Sequence, residues 1–298
     1  MTEPTQTTEA RNPRTIHMDR CDTLEILHLL HAEDARVPEV VRAALPQLAR
    51  AVDAIVIALR TGGRLIYVGA GTSGRLGILD AVECVPTFGT EPWQVVGLIA
   101  GGPEAVLRSV EGAEDDRDAG VHDLLALDPA ERDVVVGLAA SGRTPYVLAA
   151  LEAARTVGAC TVGIACNDPS PLLELAHIAI PLVVGPEALA GSTRLKAGTA
   201  QKLALNLLST ASMTRLGKVY GNLMVDVRVT NEKLAHRATQ IVSEVTGVDE
   251  KGASRLLSET GWRVKPAIVM ALLGCTAQEA EKRLDAADGL LAAVIGPA

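Results

Sequence analysis

The chain has 298 residues, 48% of them hydrophobic but only 2% aromatic, and a formal net charge of −8. That length predicts a main domain with a small appendage, and a core of Val, Ile, Leu and Ala suits a parallel sheet wrapped in helices better than a β-sandwich. The acidic balance argues against nucleic acid or an anionic membrane as partner, while leaving room for an anionic ligand in a local cluster of donors.

Residues 1–20 read as an extended arm, polar and without an apolar stretch, so no signal peptide is expected. From Asp22 to Leu59, Leu24, Leu27 and Leu30, then Val41, Leu45, Leu48, Val52 and Ile55, recur at helical spacing. A strand is expected at Arg64–Val68, followed by a glycine-rich turn and a helix to about Glu83, and a second strand at Gln94–Ile99. An acidic helix over Pro103–Glu114 leads into Asp115–Leu125, and Asp128-Pro129-Ala130-Glu131 reads as the cap of a single helical turn. Strands at Asp133–Ala139, Cys160–Ala165 and Ile178–Val184 follow, with a helix at Pro145–Val157 and a long Ala/Leu helix near Lys196–Leu216. After about Gln240 the strands stop, and Thr276-Ala277-Gln278-Glu279 behind Gly274 spells a capping box. The alternation predicts an α/β fold: a three-layer doubly wound parallel sheet with N-terminal helices (residues 21–240) and a small helical domain (residues 241–298).

Five cysteines (Cys21, Cys84, Cys160, Cys166, Cys275) are scattered without a CxxC pair, which predicts reduced thiols, no zinc site and a cytoplasmic location. The apolar runs Val134–Ala140 and Ile178–Val184 are too short to span a bilayer. None of the six histidines has metal-ligand company, so neither a metal nor any other cofactor is expected.

One loop design occurs twice. Val68-Gly69-Ala70-Gly71-Thr72-Ser73-Gly74-Arg75 and Val136-Gly137-Leu138-Ala139-Ala140-Ser141-Gly142-Arg143 share V-G-x-x-x-S-G-R, 68 residues apart. Each follows an apolar strand and opens a helix, where unpaired N–H groups and the helix dipole stabilise an anion. Gly69, Gly71 and Gly74 also spell GxGxxG, but the second strand ends Leu98-Ile99-Ala100-Gly101-Gly102, without the acid a dinucleotide ribose requires. The second copy keeps hydroxyls at Ser141 and Thr144 but lacks the triple glycine, and neither copy is GxxxxGK[ST]. A phosphate monoester fits these loops best.

The paired loops resemble the sugar isomerase (SIS) domain. The strings GAGTSGRLGILDAVEC, VEGAED, AASGRTPYV, STRLKAGTAQK and GNLMVDV followed by TNEKL resemble the N-acetylmuramic acid 6-phosphate etherases, from about Thr8 to the last residue. The resemblance implies cleavage of the D-lactyl ether at C3 of a phosphorylated amino sugar, giving N-acetylglucosamine 6-phosphate and D-lactate in cell-wall sugar recycling. It also implies a homodimer without metal or redox cofactor. It places the acid–base work on Glu83 and Glu114, and phosphate binding on Gly71, Thr72 and Ser73 in one loop and Ser141 and Thr144 in the other. Gly142 and Arg143 are added as candidates, the Arg143 side chain or a backbone N–H standing in for a hydroxyl the loop lacks. Ala139 stands where SIS loops often carry a serine, so one hydroxyl is missing.

Read without the family, neither glutamate stands out. Glu111 and Glu114 lie among Asp115, Asp116 and Asp118, where the default is a solvated helix face, and Glu83 ends an apolar helix. Ser192, Arg194 and Lys196, just before the long helix, are further candidates to meet the phosphate or a carboxylate. Asn231-Glu232-Lys233 is a weaker one, and His236 reads as an ordinary helix residue. The rival readings are an aldose–ketose phosphosugar isomerase on the same scaffold and a sugar-phosphate-sensing regulator that binds without reacting.

Overall fold

The computed structural model describes residues 7–298. The chain divides into two compact units: residues up to Ala81 with Trp93–Ser209, and Val82–Pro92 with Thr210–Ala298.

The first unit opens on turns in which Thr8, Asn12 and Thr15 are buried. The expected extended arm is therefore tied down: Thr15 Oγ1 donates to Ala188 O at 2.7 Å and Asn12 Nδ2 to Pro186 O at 3.1 Å. Residues 1–6 of that arm lie outside the described residues. Helices α1 (Thr23–Asp34), α2 (Val37–Ala43) and α3 (Leu45–Arg60) follow, the first begun by a capping box between Asp22 and Glu25. Strand β1 (Leu65–Gly69) leads into α4 (Gly71–Phe88), and β2 (Val95–Ile99) follows.

The acidic helix expected over 103–114 is broken. Only α5 (Glu104–Leu107) forms; Arg108 is extended at φ −145° and Gly112 sits at φ +74°, so Glu114 lies on a short 3-10 turn, Ala113–Asp115. Next comes α6 (Arg117–Leu125), N-capped by Asp116. The helical turn expected at 128–131 is also absent. Asp128 has φ +50°, and Asp133 instead closes a turn by accepting the Ala130 N–H at 3.0 Å. Strand β3 (Val134–Leu138), α7 (Pro145–Thr156), β4 (Cys160–Ala165), α8 (Pro171–Leu175), β5 (Ile178–Pro181) and α9 (Lys196–Arg215) complete the series.

The five strands are parallel in the order β2-β1-β3-β4-β5, with Gly69 opposite Ile99 on one side and Leu138 on the other. Ile66, Val68, Val135 and Ala139 pack with Tyr146, Val147, Leu151 and Leu172 of α7 and α8 on one face. On the other, Tyr67 of β1 donates its hydroxyl to Asp80 of α4 at 2.8 Å, and Ser209 of α9 donates to the same carboxylate at 3.0 Å. Helices thus cover both faces, which is why the strands are apolar throughout instead of alternating.

The second unit is helical: α10 (Glu232–Thr246), α11 (Glu250–Glu259), α12 (Val264–Leu273), α13 (Ala277–Ala286) and α14 (Leu291–Ile295). Its core gathers Val225, Ile241, Val242, Leu257, Ile268, Val269 and Leu284. The domain boundary expected at 240/241 falls inside α10, whose buried face (Ala238, Ile241, Val242) is continuous across it, and residues 210–240 group with the helical unit. Among the described residues no helix is long and apolar enough to cross a membrane.

Candidate functional site

In a parallel sheet of this order the chain leaves β1 toward β2 on one side and later enters β3 on the other. The crevice lies where the direction reverses, outside the carboxyl ends of β1 and β3. Those are the two strands that end in the repeated loops, so the sheet brings both loops to the same place.

In the first loop Gly71 opens α4 at φ +51°. Gly74 sits so close to its neighbours that a Cβ would lie 2.6 Å from Ile99 Cγ1 and 2.8 Å from Gly69 O. Backbone can therefore turn tightly against β1 and β2 while the N–H groups of the first helical turn stay without intrahelical acceptors. Ser73 is buried and donates to Gln201 Oε1 of α9 at 2.8 Å. The start of α9 is close as well: a Cβ on Gly198 would lie 3.3 Å from Thr72 Cγ2.

In the second loop Ala139, Ala140 and Gly142 direct their carbonyls into the fold, accepting from Gly142, Cys166 and Leu172 N–H groups at 2.9, 2.9 and 3.0 Å. Arg143 N–H donates to Ser141 Oγ at 3.1 Å, which curls the loop. Gly142 has φ +70°, and a Cβ there would meet Ser170 Oγ at 2.3 Å, so both conformation and space require glycine. Thr144 precedes Pro145 at the first position of α7 without capping the helix by its side chain. Asn167 braces the loop from behind, giving Nδ2 hydrogen bonds to Ala140 O at 3.2 Å and Thr8 Oγ1 at 3.0 Å.

Glu114 and Glu83 are both solvent-exposed. The segment leading to Glu114 is held by Arg75 of the first loop, whose guanidinium donates to Val106 O and Arg108 O at 3.1 Å each. Ala113, beside Glu114, packs into the cluster containing Tyr146 and Val147 of α7. Glu114 is therefore carried on a loop pinned to both helices that open from the anion loops. Glu83 stands on α4 twelve residues beyond Gly71, which at helical rise is about 18 Å along the axis.

Lys196 departs from its expected place beside the ligand. It is 1% exposed, and its ammonium donates to Glu33 at 2.5 Å, Pro186 O at 2.6 Å and Val184 O at 3.2 Å, so all three protons are bound within the fold. Glu33, itself buried, also accepts from Arg14 at 3.0 Å, and the Arg14 guanidinium together with Lys196 holds its carboxyl down at about 2. Ser192 is half-buried and Arg194 exposed on the turn before α9. Asn231 caps α10 by accepting the Leu234 N–H at 2.9 Å, so it serves the helix start, with Glu232 in its first turn; Lys233 and His236 are exposed.

Two site-facing polar residues escaped sequence reading: Gln201 and Asn167. For Gln201 a signal existed, because helical spacing sets it in the buried stripe Ala197, Ala200, Ala204, Leu205 and Leu208. The helical unit holds an open cavity of about 740 Å³ lined by Lys218, Asp226, Trp262, Arg263, Lys265 and Glu281 among others. Within it Asp226 meets both Lys265 at 2.8 Å and Lys218 at 3.1 Å, and Arg263 pairs with Glu281.

Three family descriptions match the chain: the N-terminal SIS domain of glucokinase regulatory protein over residues 47–155, the SIS domain over 116–211, and the C-terminal lid domain of glucokinase regulatory protein over 221–266. A curated N-acetylmuramic acid 6-phosphate etherase from Serratia proteamaculans (strain 568) is 58% identical across 96% of this chain and 97% of its own length. The chain belongs to the N-acetylmuramic acid 6-phosphate etherase family. A second etherase, from Salmonella enteritidis PT4 (strain P125109), is 56% identical over 98% of both chains. Among solved structures, a phosphoheptose isomerase from Francisella tularensis shares the fold at TM-score 0.51 and 18% identity, covering 65% of this chain and all of that one. The etherase family thus carries its two repeated loops on a sheet architecture shared with a phosphosugar isomerase.

Proposed function

We propose that the protein is an N-acetylmuramic acid 6-phosphate etherase, releasing D-lactate and N-acetylglucosamine 6-phosphate. The observation that carries this reading is the convergence of the two hydroxyl-bearing loops at the β1/β3 crevice, in a chain more than half identical to curated etherases along nearly its whole length. Gly71, Thr72, Ser73, Ser141, Gly142, Arg143 and Thr144 hold the phosphate: N–H groups at two helix starts and small hydroxyls donate to its oxygens, and the first turns of α4 and α7 contain no acid to repel it.

An ether at C3 is inert to direct displacement at neutral pH. Opening the sugar ring exposes an aldehyde at C1, which acidifies the C2 proton. A carboxylate removes that proton, the electron pair forms the C2–C3 double bond, and the C3–O bond to lactate breaks as a carboxylic acid protonates the departing oxygen. Water then adds at C3 while C2 regains a proton, so one water is consumed overall. Each placed acid or base contributes roughly 10²- to 10⁴-fold. We assign the C2 proton to Glu114, which rides beside the loops, and the leaving oxygen to Glu83.

The helix length constrains how Glu83 reaches that oxygen. A sugar whose phosphate sits at the start of α4 does not extend the roughly 18 Å to Glu83 of the same chain. We therefore assign Glu83 to the site of the second subunit in a homodimer. Supporting this, Leu79 and Val82 beside it on α4 are 50% and 61% exposed, an apolar face suited to a second copy. The deciding experiment is a coupled D-lactate assay with N-acetylmuramic acid 6-phosphate on wild type, Glu83→Gln and Glu114→Gln. A ketose product without lactate would favour the isomerase reading, and binding without turnover the regulator.

A further inference from the structure

Gln201 is 1% exposed, yet its Nε2 has no hydrogen-bond partner. A buried amide nitrogen without an acceptor is uncommon, because it loses water and gains nothing in return. Its other end is fully engaged, since Oε1 accepts the Ser73 hydroxyl at 2.8 Å. The nitrogen and oxygen of one amide are little more than 2 Å apart, which puts Nε2 within about 5 Å of Ser73 Oγ, at the start of α4. A Cβ on Gly198, one turn earlier on α9, would lie 3.3 Å from Thr72 Cγ2, so this end of α9 lies against the same loop as the unpartnered donor.

We propose that Gln201 is a ligand-binding residue of the first loop, supplying the donor that Ser73 withholds when it gives its own proton to the amide. The inference rests on the phosphosugar reading of that loop and extends it to α9. In either orientation of the amide the pair has a donor to spare: the two Nε2–H protons when Ser73 donates, or the Ser73 hydroxyl proton and one N–H when the amide turns and donates to it. One of these spare protons goes to an oxygen of the bound phosphate. An anion completes a hydrogen bond that the unliganded protein leaves open, so Gln201 also couples the position of α9 to occupancy of the loop.

The test compares Gln201→Glu and Gln201→Met. Glutamate keeps the acceptor for Ser73 but removes the spare donor; methionine removes both at similar volume. Steady-state D-lactate release from N-acetylmuramic acid 6-phosphate, and competition by inorganic phosphate, are measured at low and high salt, with thermal melting alongside. Both variants are expected to raise KM and weaken phosphate competition by about 10- to 100-fold, with kcat changed far less. Both variants should melt below wild type, Gln201→Glu because it buries a carboxyl, so KM is read well below each variant's melting temperature. Wild-type KM in Gln201→Glu would overturn the proposal, as would a loss confined to that variant and abolished by salt, which is repulsion at a distance. If wild type itself neither releases lactate nor binds phosphate, the phosphosugar reading falls first.

Discussion

Three helices of the helical unit and the two that open from the glycine loops of the sheet unit treat their N-terminal ends differently. In the helical unit α10, α11 and α13 each begin with a side-chain cap, from Asn231, Asp249 and Thr276, and each carries a glutamate in its first turn. Their N-terminal donors and dipoles are satisfied internally. In the sheet unit α4 and α7, the two helices that open from the glycine loops, have no acid in the first turn, and the Thr144 side chain leaves α7 uncapped. Elsewhere in the same unit α1 and α6 are capped by Asp22 and Asp116, whereas α2 and α3 also begin without a side-chain cap. At the two glycine loops the open helix starts coincide with the proposed phosphate site.

The largest effect should come from the carboxylates. Glu83→Gln and Glu114→Gln are each expected to cut lactate release by about 10²- to 10⁴-fold, with unchanged melting because both side chains are exposed. A stability loss of similar size in either would move that glutamate from chemistry to structure. Mixing the two inactive variants and allowing subunits to exchange should restore about a quarter of wild-type activity, since half the dimers are mixed and each has one intact site. No recovery would return Glu83 to its own chain's loops.

Lys196→Met should act on folding, by about 3–5 kcal/mol, because it strips a buried partner from Glu33; KM in the surviving protein should stay near wild type. A selective KM effect would restore Lys196 to the binding site. The same cluster sets an acid limit. Glu33 titrates near 2 in the folded chain against 4.5 when unconstrained, so its contribution is complete above 4.5 and is lost as pH falls toward 2. Glu33→Gln should flatten chemical-denaturation stability across that window. The smallest effect belongs to the helical unit: Thr276→Ala should cost about 1 kcal/mol through loss of the α13 cap and leave lactate release untouched.

Most of the parallel sheet was legible along the chain, because apolar runs separated by helix-length segments have few other packings. The strand at Cys160–Ala165 and the helix from Pro145 begin where periodicity and proline placed them. The helix over 115–125 forms as α6, while 103–114 and 128–131 depart from expectation because acidic residues are compatible with a helix but do not enforce one. There Gly112 at positive φ and the Asp133–Ala130 turn decided otherwise. Lys196 was misread for a related reason: a lysine before a helix looks solvated until the fold brings Glu33 to it from 163 positions away.

By itself the sequence determined the repeat of V-G-x-x-x-S-G-R, the lack of an acid after Ile99 and the family, since local turn chemistry and long shared strings are properties of the chain. Only the tertiary structure decided that the two loops meet, because adjacency of β1 and β3 depends on strand order and not on sequence order. It alone set Gln201 against Ser73, 128 residues away, with a donor still to give.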